Sequence, residues 1–296
     1  MFGLTGTGLF VLIIAVLTRG RDIALLNPKG FIADEQHRLL IVSTSILLGF
    51  AVLVMFFIYL FAWRYRETNE KTIHNPRAGR SKLLLVTAWV SPILIFIVLA
   101  GLMLPATQKL EPQRSIVSDN KEITIRVVAM RWKWLFMYPE QGIATVNFVQ
   151  IPVDTPVRFE LTADEAPMNS FWIPHLGGML YSMTGHVNPL NLMAHTTGDY
   201  DGGAAEVNGH GFAGMKFTAR VSTKGDFDQW VSETAGKSPE LDIAEYERLL
   251  NPSENNSVAA YRSPTNLVLF DNLLKKYSGS HTHNDATEHT ENGGNH

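Results

Sequence analysis

The sequence predicts an α+β membrane protein: a two-helix transmembrane hairpin, then an external β-domain, then a short helical extension. Three observations predict it. Two uncharged apolar runs, Leu39–Trp63 and Leu83–Leu104, lie in the first third of the chain. Short β-branched segments punctuated by proline and glycine follow Pro105, and helical spacing replaces them from Asp226. The 296 residues suit about two domains of roughly 150 residues. A net charge of −3 without a basic, aromatic-interleaved patch gives nucleic acid no binding face. Cysteine is absent, which excludes disulfides, thiolate metal ligands, thiol nucleophiles and lipid attachment at cysteine.

Residues 1–20 form a signal-like apolar segment. Its run Leu9–Leu17 is too short for a span and fits an export-directing h-region, or a retained anchor, since no basic n-region precedes it. The hairpin occupies 39–105. Each uncharged run is long enough to cross roughly 30 Å of hydrocarbon with some tilt. Tyr59 and Trp63 suit the interface, and Pro92 in the second span is tolerable where a kink satisfies the freed carbonyl. A buried core helix is the alternative for one such run, not for two. The connecting loop, 64–82, carries Arg64, Arg66, Lys71, Arg77, Arg80 and Lys82 within about 20 residues, the range over which the positive-inside bias is counted. The loop is therefore expected in the cytoplasm and both termini outside it, which in a bacterium means the periplasm.

Residues 121–225 read as a β-sandwich or Greek-key barrel. Ile123–Val128, Ala144–Ile151, Val157–Leu161, Leu190–Ala194 and Met215–Val221 are its strand signals, with Pro139, Pro152, Pro156, Gly177–Gly178 and Gly202–Gly203 between them. The region 226–277 reads as helical: Phe227–Val231, Leu241–Leu250 entered at Ser238–Pro239–Glu240, and Leu267–Tyr277. The tail 278–296 holds His281, His283, His289 and His296 but too little apolar surface to order itself. A solvated end is expected there rather than a metal site.

Phe171–Met215 is the stretch where chemistry would be sought. His175, His186, His195 and His210 lie in it without close pairing, so each reads as a satisfied or solvent-facing imidazole. No nucleophile–base pairing stands out anywhere.

In order and spacing the chain resembles subunit II of the haem-copper respiratory oxidases. The resemblance runs through Trp89 and Pro92, Trp132-Lys133-Trp134, Asn169-Ser170-Phe171-Trp172-Ile173-Pro174-His175-Leu176-Gly177, Gly198-Asp199-Tyr200-Asp201-Gly202 and Met215. It implies a cupredoxin-like fold for 121–225. The copper-bearing branch of that family has a His before the Ser-Phe/Trp segment and then Cys-x-Glu-x-Cys-Gly-x-x-His-x-x-Met. Laid on this chain, that pattern puts the first His on Asn169, the thiolates on Ala204 and Asn208, and the second His on Phe212. Glu206 and Met215 are retained. A dinuclear copper centre needs bridging thiolates, because soft sulfur stabilises Cu(I). The resemblance thus implies a copper site emptied of its ligands, with no metal, cofactor or catalytic residue in this chain.

The stretches Tyr138–Asn147, Met168–Phe171, Gly211–Phe217 and Asp226–Val231 are similar to the bo-type ubiquinol oxidase branch. That resemblance implies a subunit of a proton-translocating complex in a bacterial inner membrane that oxidises quinol and reduces oxygen to water. Haems, one copper and the quinol site would lie in subunit I, the main partner, with subunits III and IV and membrane lipid as further neighbours. Trp132 and Trp134 are read first as packing against a neighbouring subunit or the membrane interface, and second as lying near the quinol headgroup. Two departures are visible: no lipobox cysteine follows the signal-like segment, and Leu85 stands where the family commonly has a glutamate. A cytochrome c oxidase subunit with an atypical copper site, or a membrane-anchored sensor module, remain the alternatives.

Overall fold

A helix that is apolar all round has no polar face to give water, so it is stable only where no water is present. Two helices of this kind come first among the described elements. The computed structural model describes residues 23–69, 81–166, 168–263 and 266–278. The signal-like residues 1–20, the loop cations Lys71, Arg77 and Arg80, and the tail histidines lie outside the described residues. The chain divides into two units, Glu35–Glu111 and a second that joins the residues up to Asp34 to those from Pro112 onward.

Helix α1 spans Phe31–Arg64 and α2 spans Lys82–Lys109. Phe56, Trp63, Trp89 and Phe96 are exposed along them. Four of their hydroxyls are satisfied within the helix: Ser43, Ser45, Thr87 and Thr107 donate to carbonyls of Leu39, Ile41, Leu83 and Met103 at 2.6–2.9 Å. Within this unit Lys109 Nζ meets Glu35 Oε1 at 2.5 Å. Pro92 and Pro105 both lie inside α2. Thirty-four residues at about 1.5 Å each exceed a bilayer core, so α1 is longer than its apolar run. Its first turn is drawn into the second unit, where Ile32 and Ala33 are buried.

The second unit is two stacked sheets. The strands are β1 Ile123–Met130, β2 Lys133–Tyr138, β3 Ile143–Val146, β4 Phe148–Pro152, β5 Val157–Ala163, β6 Asn169–Ile173, β7 Gly177–Ser182, β8 Asn188–Leu192, β9 Gly198–Ala204, β10 Lys216–Ser222 and β11 Ala259–Arg262. One sheet runs β11-β3-β2-β1-β5-β8 and the other β4-β10-β9-β6-β7. The pairs β1–β5 and β4–β10 are parallel, which makes the connections Greek-key-like rather than a meander. Inward alternation stacks Trp134, Phe136, Phe159, Phe171 and Phe217 between the sheets, with ring centroids 5.0–6.2 Å apart.

Helices α3 Lys224–Lys237, α4 Ile243–Leu250 and α5 Asn266–Ser278 follow. They are part of the domain. Leu241, Tyr246, Phe270 and Leu273 cover Val128, Met130, Leu135 and Met137, so β2 is buried on both faces.

Three sequence readings differ from the structure. Ala144–Ile151 is two strands in two sheets, not one. Asn147 sits between them at φ 55°, a conformation asparagine tolerates, and its Oδ1 accepts from Trp134 N at 2.9 Å. Ser238–Pro239–Glu240 does not enter a helix. Pro239 and Leu241 hydrogen-bond Arg262 as a sheet edge would, and Asp242 caps α4 instead, accepting from Glu245 N at 2.8 Å. The region after 226 also contributes a strand, β11, against β3.

Candidate functional site

The loop from Ala204 at the end of β9 to Met215 before β10 folds back over the start of β6. Ser170 fixes its first turn: its hydroxyl accepts from Ala205 N at 2.8 Å and Glu206 N at 2.7 Å. Asn208 fixes the next. Its Nδ2 donates to Asn169 Oδ1, and to Met215 Sδ at 2.9 Å. Ala204 N reaches Met215 O at 3.3 Å. Asn169, Asn208 and Met215 therefore meet side chain to side chain, and Ala204 joins through its backbone. Phe212 lies in a single 3-10 turn, Phe212–Gly214, and is only half-buried. Glu206 turns outward and accepts from the Tyr181 hydroxyl at 2.5 Å, a bond that raises the tyrosine pKa.

Chemically this is a set of two carboxamides, a thioether, a methyl and a phenyl group. None is anionic and none is a soft strong donor, so the set does not fit a copper pair. The hydrogen bonds instead join the carboxamides and the thioether to each other. Among the described residues no group of three or more His, Asp or Glu side chains comes together. The four histidines have separate surroundings. His175 lies beside the Tyr200 ring at 5.3 Å, His186 is exposed, His195 Nδ1 is 3.4 Å from Asp34, and His210 is 2.8 Å from Glu254. The Glu254 hydrogen bond raises the His210 pKa.

The two tryptophans part company. Trp134 is wholly buried, edge-to-face with Phe171 at 5.3 Å and Phe217 at 5.9 Å. It packs the domain's own core, which corrects the expectation that it meets a neighbouring subunit, the membrane interface or a quinol. Trp132 is held at φ 62°, strained for so bulky a residue. Gly211 lies against its indole so closely that a β-carbon there would stand 2.5 Å from the ring. Trp132, Arg131, Asn169, Thr184, Asn208 and Tyr277 line a cleft of about 700 Å³ beside the loop.

Two polar centres had no signal in the sequence. Asp164, 2 % exposed, accepts from Tyr246 at 2.8 Å, Tyr277 at 2.7 Å and Lys276 at 3.0 Å. Burial, and the bond to Asp164, push the Tyr246 pKa up. Lys133 Nζ donates to Leu249 O at 2.8 Å and Asn251 O at 2.9 Å, closing the C-terminus of α4, and burial lowers its pKa. Asp164 ties α4 and α5 to the end of β5 and Lys133 ties the end of α4 to β2, and these partners are too distant in sequence for local patterning to reveal.

The architecture is that of a membrane-anchored two-sheet domain with an aromatic-rich C-terminal cover. Residues 236–281 match the family model of the COX Aromatic Rich Motif. The chain is 44 % identical over 264 residues to the cytochrome bo(3) ubiquinol oxidase subunit 2 of Pseudomonas putida, covering 89 % of this chain and 83 % of that one. It is 37 % identical over 266 residues to the ubiquinol oxidase subunit 2 of Acetobacter aceti, covering 89 % and 86 %. A crystal structure of the periplasmic domain of subunit II of cytochrome oxidase from Bradyrhizobium japonicum superposes with a TM-score of 0.37 at 23 % identity, covering 40 % of this chain and 94 % of that one. The chain belongs to the ubiquinol oxidase subunit 2 family.

Proposed function

We propose that the chain is the second subunit of a quinol-oxidising terminal oxidase, coupling quinol and oxygen to quinone, water and proton translocation, and that it holds no redox centre of its own. Membership of the ubiquinol oxidase subunit 2 family supports the complex and its substrate. The observation that carries the second half is the loop 204–215. Where the copper branch would have imidazole and thiolate, Asn169, Ala204, Asn208 and Phe212 offer no ligand, and Asn208 bonds Asn169 and Met215 instead. On this reading Glu206 and Met215 are survivors of the copper pattern, and the chain has no port for electrons from a soluble cytochrome. Haems, one copper and the quinol site belong to subunit I, with subunits III and IV completing the complex.

The cations between the helices support an orientation with the loop in the cytoplasm and the β-domain, with both termini, in the periplasm. Of Trp132 and Trp134, Trp132 at the cleft is the one left as a candidate for contact with another subunit or a quinol. Leu85 offers no proton, so an acid at the mouth of proton uptake comes from another subunit.

The test is to purify the complex from membranes and compare oxygen uptake on ubiquinol and on reduced cytochrome c. Uptake on ubiquinol alone, with no copper assignable to this chain, is expected. Turnover on cytochrome c overturns the reading.

A further inference from the structure

Segments distant in sequence meet around the cleft of about 700 Å³. That volume lies within the about 300–1,000 Å³ typical of small-ligand sites. Arg131 and Trp132 come from the β1–β2 turn, Glu165 from the turn after β5, and Asn169 from the start of β6. Asn208 comes from the loop after β9 and Tyr277 from α5.

The wall of this cleft gathers several departures from relaxed geometry. Trp132 at φ 62° and Glu165 at φ 48° are non-glycine residues in left-handed backbone. Asn208 Oδ1 is buried and accepts no hydrogen bond among the described residues. Strained backbone and orphaned buried acceptors persist only where the surroundings enforce them, and they gather at ligand sites. Here the enforcing contacts are visible. Gly209 and Gly211 lie against the indole, where β-carbons would stand 3.4 and 2.5 Å from its ring. Glu165 N donates to the Tyr277 hydroxyl at 3.1 Å, and that hydroxyl donates to Asp164 at 2.7 Å. The Glu165 carbonyl in turn accepts from Arg131 Nε at 2.8 Å, so the strained turn orients the guanidinium.

The groups held in this way define a ligand. Lys276 meets the Glu165 carboxylate at 2.9 Å as well as Asp164 at 3.0 Å. No carboxylate among the described residues pairs with the exposed Arg131. Its remaining nitrogens suit a carboxylate, which a guanidinium meets in a planar fork. Trp132, half-buried, adds a flat apolar ring. Asn169 and Thr184 add a carboxamide and a hydroxyl, which pair with hydroxyl and amide groups. A bare anion would leave the indole unused, and an aromatic acid would leave the neutral polar groups unmatched. We propose that the cleft binds an acidic, N-acetylated saccharide. Its carboxylate meets Arg131, the C–H face of its ring lies on Trp132, and its hydroxyl and acetamido groups meet Asn169 and Thr184.

Calorimetric titration of the purified full-length protein in detergent, with its co-purifying subunits, tests this. The probes are N-acetylmuramic acid and N-acetylglucosamine, which lacks the carboxylate. The acid is expected to bind at least tenfold tighter. Arg131→Gln, a change at an exposed position that keeps the thermal transition, is expected to abolish that preference. Trp132→Asn keeps a residue that tolerates positive φ and is expected to weaken both sugars at least tenfold. Equal affinity for the two sugars, binding of neither, or unchanged binding in the two variants overturns the proposal. Acetate competing as well as N-acetylmuramic acid itself also overturns it, because the cleft would then be a bare anion site.

Discussion

Replacing Asp164 by alanine removes the acceptor of three donors at once. Tyr246 is 8 % exposed, so its hydroxyl loses the carboxylate and finds no water in exchange. Tyr277 loses a 2.7 Å bond, and Lys276, which is 43 % exposed, keeps Glu165 at 2.9 Å. Hydrogen bonds to a charged acceptor contribute about 1.5–3 kcal/mol each, and a stranded buried donor costs about 1–3 kcal/mol. The Lys276 bond is discounted, because a half-exposed ammonium is well solvated. Two hydroxyls therefore set the loss at about 3–5 kcal/mol. In a domain of about 150–250 residues that lowers the Tm by roughly 6–12 °C at the smaller figure. Asp164→Asn keeps the volume and one acceptor oxygen and is expected to lose about half as much. The assay is a melting curve of the purified full-length chain, with amide exchange read across α5. Glu165→Ala, an exposed partner of the same lysine, serves as the control, at under about 1 kcal/mol. A shift for Asp164→Ala no larger than that of Glu165→Ala, with α5 equally protected, would refute the reasoning.

Tyr261 is pushed up to about 12 by burial and by its bond to Glu245, and burial raises Tyr138 and Tyr246 as well. The unfolded chain releases these protons near pH 10, before the folded one does. Their stabilisation is thus fully present below pH 10 and is lost as the pH rises toward 12, and unfolding curves at pH 9 and 11 check it. The four positions read as vacated are tested by restoring them: Asn169→His, Ala204→Cys, Asn208→Cys and Phe212→His together are expected to give a copper-dependent thiolate absorption. A folded quadruple variant that binds no copper would show the positional reading to be wrong.

How much of this was visible in the chain depended on how local each cause is. The hairpin was legible because an uncharged run is a property of one stretch of sequence, as was the alternation of β5. Strand β2 was not, since Lys133–Tyr138 is buried on both faces and shows no period of two. The sheet change at Asn147 hides inside a continuous β-branched run, and its only local mark is a residue that accepts positive φ. The loop 204–215 was legible as a pattern of missing ligands. Its actual fastening, through Ser170 and Asn208, appears only once β6 is beside it. Trp132 and Trp134 sit two residues apart and looked alike, and alternation alone would put them on one face. Trp134 lies in β2 and points inward, whereas Trp132 lies in the turn before the strand at φ 62°, at the cleft. Asp164 was invisible because its partners lie 82 to 113 residues further on.

The covering of β1 and β2 by Leu241, Tyr246, Phe270 and Leu273 also sets an order of events during synthesis. Those residues leave the ribosome after β1 and β2, so Val128, Met130 and Met137 stay bare until the helices that cover them have been made. A chain stopped short of Ala259 would lack the strand that closes the sheet beside β3 and the helix that carries Phe270. It would show protein quality control a raw apolar face and an open sheet edge, the two features that most promote aggregation and degradation. The last strand and helix of the domain thus cover the apolar face and the sheet edge that everything made before them leaves open.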